Sequence, residues 1–318
     1  YSVKSIIAEE LVKTYDKGTV RALDSLNLDV EEGTVLGVLG PNGAGKTTTV
    51  RILSTLLRPD SGRTTVAGID VIKRMNRVCQ RLMGDMNWHA HCGIYTYPIQ
   101  IATMMKIPMV VWGETFWDIS GMFSPDDFVE FSARTRHEHA LRGYEWYDLI
   151  GQEGLVEKDF MWAKYPDDQE ILNAGVRGLC IGNYFNWDPN VQTEIIREKY
   201  GWKGSDKEFQ RTYRKMSNLD DRYENGAHDL LKFIKFGYGR GSDHASKDIR
   251  TGYMTREQGI EMVRKYDHVV SDDLDYWLKY VEMSEEEFWR TADTFRDPRV
   301  WWIQGGEWWK DNIWGGSS

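Results

Sequence analysis

Residues 40–47 read GPNGAGKT, the spacing G-x-x-x-x-G-K-T, and no other short stretch restricts the fold of this chain as much. The apolar, β-branched run TVLGVLG (34–40) before it reads as a strand, and GKTTTVRILSTLL (45–57) after it carries apolar residues at helical spacing. Strand, glycine loop and helix together make a phosphate cradle. Gly40, Gly43 and Gly45 let backbone N–H groups approach phosphate oxygens, and the helix N-terminus adds partial positive charge. Lys46 is placed to reach the β- and γ-phosphates, Thr47 to set its hydroxyl on Mg²⁺, and Asn42 and Thr48 complete the cradle. The ligand expected of such a loop is ATP with Mg²⁺.

The loop sits in a chain of uneven composition. At 318 residues and 41% apolar content there is room for two domains with real cores. Residues 1–73 carry nine Lys/Arg and nine Asp/Glu, so the net charge of −9 belongs wholly to residues 74–318. That balance argues against a general nucleic-acid or anionic-membrane binder, which needs Lys and Arg to neutralise phosphates. Of the 41 aromatic residues only Tyr1 and Tyr15 precede residue 74. So sharp a break points to two parts of different origin. The longest apolar stretch, 94–112, contains Lys106 and two prolines and makes a poor bilayer span. Cys79, Cys92 and Cys180 form no CxxC and no even framework, which suits a reducing, cytoplasmic compartment.

The front part, LVKTYDKGTVRALDSLNLDVEEGTVLGVLGPNGAGKTTTVRILSTLLRPDSGRTTVAGIDV, resembles the start of an ABC transporter ATPase of the drug-resistance exporter type. In that family an aromatic residue upstream of the loop stacks on adenine, and Tyr15 occupies that place. A membrane permease would be the partner. The resemblance ends near residue 73. No LSGGQ-like string follows, and MVVWGE (109–114) has glycine where a metal-holding aspartate is required.

The rear part reads as helix-rich α/β. IPMVVWGE (107–114) and RGLCIGNYF (177–185) are expected as buried strands. A helix is expected from Ser124-Pro125 through Gly143, others from Asp188-Pro189 to Gly201, and capping boxes at Thr255/Gln258 and Ser284/Glu287. The blocks HCGIYTYPIQIATMMKIPMVVWGET, YPDDQEILNAGVRGLCIGNYFNWDPNVQTEIIREKYGW and KFGYGRGSDHASKDIRTGYMTREQGIEMVRKYDH resemble the C-terminal part of the N-acetyl sugar amidotransferases of surface-polysaccharide biosynthesis. In that family a PP-loop, SGGxDS, presents the α-phosphorus of ATP to an acetamido oxygen, and ammonia from a glutaminase partner displaces AMP to leave an acetamidine. No SGGxDS occurs here. A Walker-type lysine acts on the β- and γ-phosphates, whereas adenylation breaks the α–β bond, so the front loop does not replace the missing one.

The fold expected is therefore α/β: a P-loop-type fragment over 1–73, then a Rossmann-like, helix-rich amidotransferase domain over 74–318. Glu114, at the carboxyl end of a strand, is a candidate catalytic group, as are Asp243 and His244. KFGYGRGSDHASKDIR (235–250) reads as a flexible glycine-rich loop whose Lys235, Arg240, Lys247 and Arg250 would grip the diphosphate of a nucleotide-activated sugar. His89, His91 and Cys92 have metal-ligand chemistry but lack a fourth ligand. His137 and His139 read as surface residues of a helix, and the Trp-rich end (299–316) as packing against its own domain. Three functions compete on these residues: sugar amidination, an ABC transporter motor, and a fused chain that binds nucleotide and catalyses nothing.

Overall fold

A computed structural model of the chain describes residues 4–15, 18–31, 36–38, 41, 43–53, 59–66, 69–113, 130–185, 188–216 and 224–310. The fold is mixed α/β, with a P-loop-type front and a helix-rich rear. It divides into two compact units, Tyr1–Ile72 and Lys73–Ser318.

In the front unit, β1 (Lys4–Tyr15) lies between β2 (Val20–Glu31) and β3 (Ser61–Val66), antiparallel to both. The pairing of β1 with β2 slips between Ala8 and Leu11, where Glu10 takes positive φ, and again between Leu11 and Lys13, where Ser25 on β2 does. Asn27 pins the first bulge: its amide nitrogen donates to Glu10 Oε1 and its oxygen accepts from the Glu10 backbone N–H at 3.0 Å. Asp60 fastens the other end by accepting from Lys13 Nζ and from the backbone N–H and hydroxyl of Thr14, and these bonds hold its carboxyl down at about 2. Behind the sheet, α1 (Lys46–Leu53) contributes Ile52 to a small core with Ala8, Leu11 and Leu23.

Of the strand expected before the loop, only residues 36–38 are described, and they do not form one. Leu36, Gly37 and Val38 have no regular structure, and the two apolar side chains are 46% and 39% exposed. An apolar strand of this kind is stable only between partners that cover both its edges and its faces, and among the described residues it has neither.

α2 (Ile69–Met83) begins before the boundary at Lys73 and continues into the rear unit, where α3 (Trp88–Met105), β4 (Met109–Trp112), α4 (Asp168–Ala174) and β5 (Arg177–Cys180) follow. β4 and β5 pair in parallel. Their sequence pattern predicts buried strands, but only Trp112 of β4 is buried, and Met109 and Val111 are about half exposed at 47% and 53%. Two parallel strands with one covered face cannot bury a continuous apolar run. The covered face stacks Tyr95 of α3 against Phe131, with Trp112 tilted against both. Phe131 bridges to Gly178 instead of lying in a helix, and among the described residues of this segment helical structure follows Ser132, which caps a single turn that continues as a π-turn, Arg136–Ala140. The expected start at Ser124-Pro125 lies outside the described residues.

The remaining helices are α5 (Pro189–Tyr200), α6 (Asn225–Phe236), α7 (Arg240–Arg250), α8 (Arg256–Tyr266), α9 (Asp273–Val281) and α10 (Glu285–Asp293). Their ends follow the sequence signals. Asp188 caps α5 through the N–H groups of Asn190 and Val191, and Gly201 closes it at φ 64°. Thr255 and Gln258 form the full capping box of α8, and Ser284 accepts from Glu287 at the start of α10. The main core lies between α6, α9 and α10, where Leu230, Leu231, Ile234, Trp277, Leu278, Val281 and Phe288 are buried. β6 (Trp301–Gln304) and β7 (Glu307–Lys310) close the chain as a hairpin around Gly305-Gly306, both at positive φ. Trp301 docks edge-on against Phe233, the packing use expected of this end, while Trp302 remains 41% exposed.

Phe288 is fully buried against Trp277, with ring centroids 5.9 Å apart. Phe288→Ala is expected to lower the stability of the rear unit by ~3–5 kcal/mol, read as a shift in its urea midpoint without a change in slope.

Candidate functional site

The front unit places part of the cradle. Gly43 and Gly45 sit at φ 87° and 80°, the left-handed region that glycine enters freely, and a Cβ on Gly45 would stand 2.3 Å from the carbonyl oxygen of Ala22. Lys46 folds over the loop and donates to the carbonyl of Pro41 at 2.7 Å. Tyr15 lies against the first turn of α1, its hydroxyl 3.4 Å from the Thr48 hydroxyl. Thr47 is exposed and Thr48 buried. Gly40 and Asn42 lie outside the described residues, as does Glu114.

The rear segment 235–250 is helix where the sequence reading expects a flexible loop. Lys235 is in the last turn of α6 and Arg240–Arg250 is α7. The glycines have a different task. Gly237 ends α6 at φ 76°, and the absence of a side chain at Gly241 lets the Asp267 carboxylate approach, since a Cβ there would be 2.7 Å from Asp267 Oδ1. That carboxylate then caps α7, accepting from the N–H groups of Gly239 (2.9 Å) and Ser242 (3.0 Å) and from the Ser242 hydroxyl (2.6 Å).

Helix geometry separates the residues grouped in sequence. Arg240 is committed to Asp229 through two nitrogens, Nε and Nη2, at 2.8–3.2 Å. Asp243 pairs with Lys232. His244 turns inward, 1% exposed, and shares a 2.6 Å hydrogen bond with Thr212. Lys235 donates to the Met83 carbonyl at 2.5 Å, with burial lowering its pKa, and Arg250 donates to Ser246. Lys247 lies on α7 half-buried. These six do not converge on one opening. His137 is held by Glu145 at 2.9 Å, a buried carboxylate that also takes Arg136, and Nδ1 of His139 is buried, so neither is mere surface. His89, His91 and Cys92 lie on the helix α3, and among the described residues no group of three or more His, Cys, Asp or Glu could hold a metal ion.

Two buried polar clusters stand out instead. In one, Asp85 is paired with Arg142 and lies 4.0 Å from His228, which contacts Asp229 at 3.3 Å. Burial pushes the Asp85 carboxyl up, but Arg142, His228 and His91 outweigh it and hold the group well below the usual carboxylate range. In the other, Asp248 collects Arg214 Nη2 at 2.6 Å, Asn190 Nδ2 at 3.0 Å and the Tyr213 hydroxyl. Arg214 and Asp248 are both more than nine-tenths buried. This cluster floors a groove of 520 Å³ lined by Asn190, Thr193, Glu194 and Arg197 of α5, by Arg214, Lys215 and Met216, and by Tyr253. The run RTYRKM (211–216) carries three cations around an aromatic, a sequence signal that no glycine marks.

Comparison with known proteins finds two different families along the chain. Residues 199–312 match the C-terminal domain of LPS biosynthesis protein WbpG-like proteins, and residues 23–92 match the ABC transporter family. The front is similar to the daunorubicin resistance ATP-binding protein DrrA2 of Streptomyces coeruleorubidus, 58% identical over 78 residues, 24% of each chain. It is also similar to the doxorubicin resistance ATP-binding protein DrrA of Mycobacterium tuberculosis, 48% identical over 79 residues, 25% of this chain and 24% of that one. The ABC transporter ATP-binding protein NatA of Bacillus subtilis is 46% identical over 66 residues, 21% and 27% of the two chains. The chain spans about a quarter of the length of these relatives. An ABC-type ATP-binding segment is thus joined to a WbpG-like domain, and no described helix is long and apolar enough to cross a membrane.

Burial pushes His89 and His91 down to about 4, and burial with Arg214 and Arg240 pushes His244 well below its usual value. The folded unit stays neutral at these sites where the unfolded chain takes up protons, so stability is full above pH ~6.5 and falls as pH drops below it. The expected loss is up to ~1.4 kcal/mol per pH unit for each histidine, checked by urea midpoints at pH 7.5 and 5; equal midpoints would contradict the buried neutral state.

Proposed function

We propose that this chain is an ATP-binding, amidotransferase-like protein whose rear unit holds a nucleotide-activated N-acetyl sugar and whose ATP-coupled amidination step is impaired. The observation that carries the reading is the WbpG-like match over 199–312, which contains Arg214, Lys215, Asp248 and Tyr253 of the groove and its floor. The parts 1–73 and 74–318 act as separate modules in this reading. In the full reaction the acetamido oxygen attacks the α-phosphorus and expels pyrophosphate; ammonia from a glutaminase then adds to the activated carbon and AMP leaves. The front loop, with Lys46 aimed at the β- and γ-phosphates and Thr47 at Mg²⁺, favours the other end of ATP. The sugar is therefore bound without efficient adenylation.

The 58% identity to DrrA2 favours a second reading, an ATP-binding subunit that pairs with a membrane permease. Its difficulty is physical: without an LSGGQ segment one subunit cannot complete the hydrolytic site of another.

The chain is to be incubated with α- and γ-labelled ATP, ammonia and UDP-N-acetylglucosamine. The expected result is ATP and sugar binding with scant AMP. Vigorous release of AMP and pyrophosphate would restore the intact amidotransferase, and turnover to ADP and phosphate would favour the transporter motor. Lys46→Ala is expected to weaken ATP binding by ~10–100-fold, the loss of a charged donor on phosphate, measured by equilibrium dialysis.

A further inference from the structure

We propose that the groove between α5 and residues 214–216 is an anion site that takes the diphosphate of an activated sugar, with Arg214 as its buried anchor. The ligand's identity rests on the sugar-handling reading above; the anion site itself does not. Three observations carry it. First, the side chain of Arg214 is 6% exposed, yet only part of its donor capacity is used: Nη2 donates to Asp248, while Nη1 is buried without a hydrogen-bond partner among the described residues. A buried guanidinium nitrogen left without an acceptor is costly, and a phosphate oxygen is the acceptor that a guanidinium fork fits best.

Second, the floor is built to keep that guanidinium in place. Asp248 balances its charge and is itself fixed by Asn190 and Tyr213. Third, the rim divides into chemistries that match the two ends of a sugar diphosphate. Lys215 is an exposed cation at the mouth beside Arg214. Along α5, Glu194, which pairs with Arg197 at 2.7 Å, and Glu198 offer carboxylates that repel a bare anion but accept hydrogen bonds from sugar hydroxyls. Tyr253, 55% exposed and tethered by its hydroxyl to Asp188 at 3.2 Å, presents a ring against which a sugar can lie. The volume of 520 Å³ suits a small ligand rather than a polymer.

The test uses the full chain carrying Lys46→Ala, so that the front loop does not compete for phosphate. Calorimetry follows binding of pyrophosphate and of UDP-N-acetylglucosamine. Lys215→Gln and Arg214→Lys, which keeps the charge on Asp248 but removes the second nitrogen, are each expected to weaken both ligands by about tenfold. Lys203→Gln, an exposed cation outside the groove, is expected to change neither, and melting curves establish that each variant is folded. If both ligands bind and both respond to the groove variants, the site and the sugar reading stand together. If only pyrophosphate binds and responds, the anion site stands and the sugar reading falls. Binding that ignores Lys215→Gln, or that responds equally to Lys203→Gln, overturns the site.

Discussion

The rear unit depends on one buried cation. Arg211 is 2% exposed and spends its guanidinium on backbone, donating to the carbonyls of Val269 and Asp267 just beyond α8 and, at 3.3 Å, to that of Asp229 in α6. The face of Phe233 lies 5.7 Å away. Nε is buried without a hydrogen-bond partner among the described residues, so the charge taken out of water rests on these three carbonyl contacts, which tie together the elements that carry them. The consequences run outward in order. With Asp267 fixed, its carboxylate caps α7; with α7 fixed, His244 and Asp248, one turn apart, face Thr212 and Arg214; and Arg214 then floors the groove. A single guanidinium thus sets the register of the helices that build the candidate site.

The second constraint is what the two units leave unfinished. Sheets of parallel, apolar strands are stable when both faces are covered. Here Leu36 and Val38 lie exposed outside the front sheet, and the rear sheet among the described residues has two parallel strands with Met109 and Val111 in water. The ABC-type match spans about a quarter of its relatives' length, and the WbpG-like match lies further along, at 199–312. The phosphate loop keeps the left-handed glycines Gly43 and Gly45 and its lysine, all local properties, while Leu36, Gly37 and Val38 ahead of it have no regular structure.

Local physics was legible in the residues. The caps at Asp188, Thr255 and Ser284, the closing Gly201 and the helix after the glycine loop stand where the sequence places them, because each is decided by atoms within four residues. The strands at 109–112 and 177–180 were legible as strands but not in their burial, which depends on distant partners. The segment 235–250 misled because glycine suggests a loop; Gly241 serves the approach of Asp267, 26 residues later, and no local pattern carries that information.

The candidate site divides along the same line. The amino-acid sequence by itself determined that a phosphate loop stands at 40–47, that two compositions meet near residue 73, and where most helices begin and end. Tertiary structure decided which partners each cation meets. Arg240 and Lys235 belong to Asp229 and Met83, whereas Arg214 keeps a nitrogen unspent above a fixed carboxylate. Charge can be counted along a chain, but whether a charge is already answered depends on what folding brings within 3 Å of it.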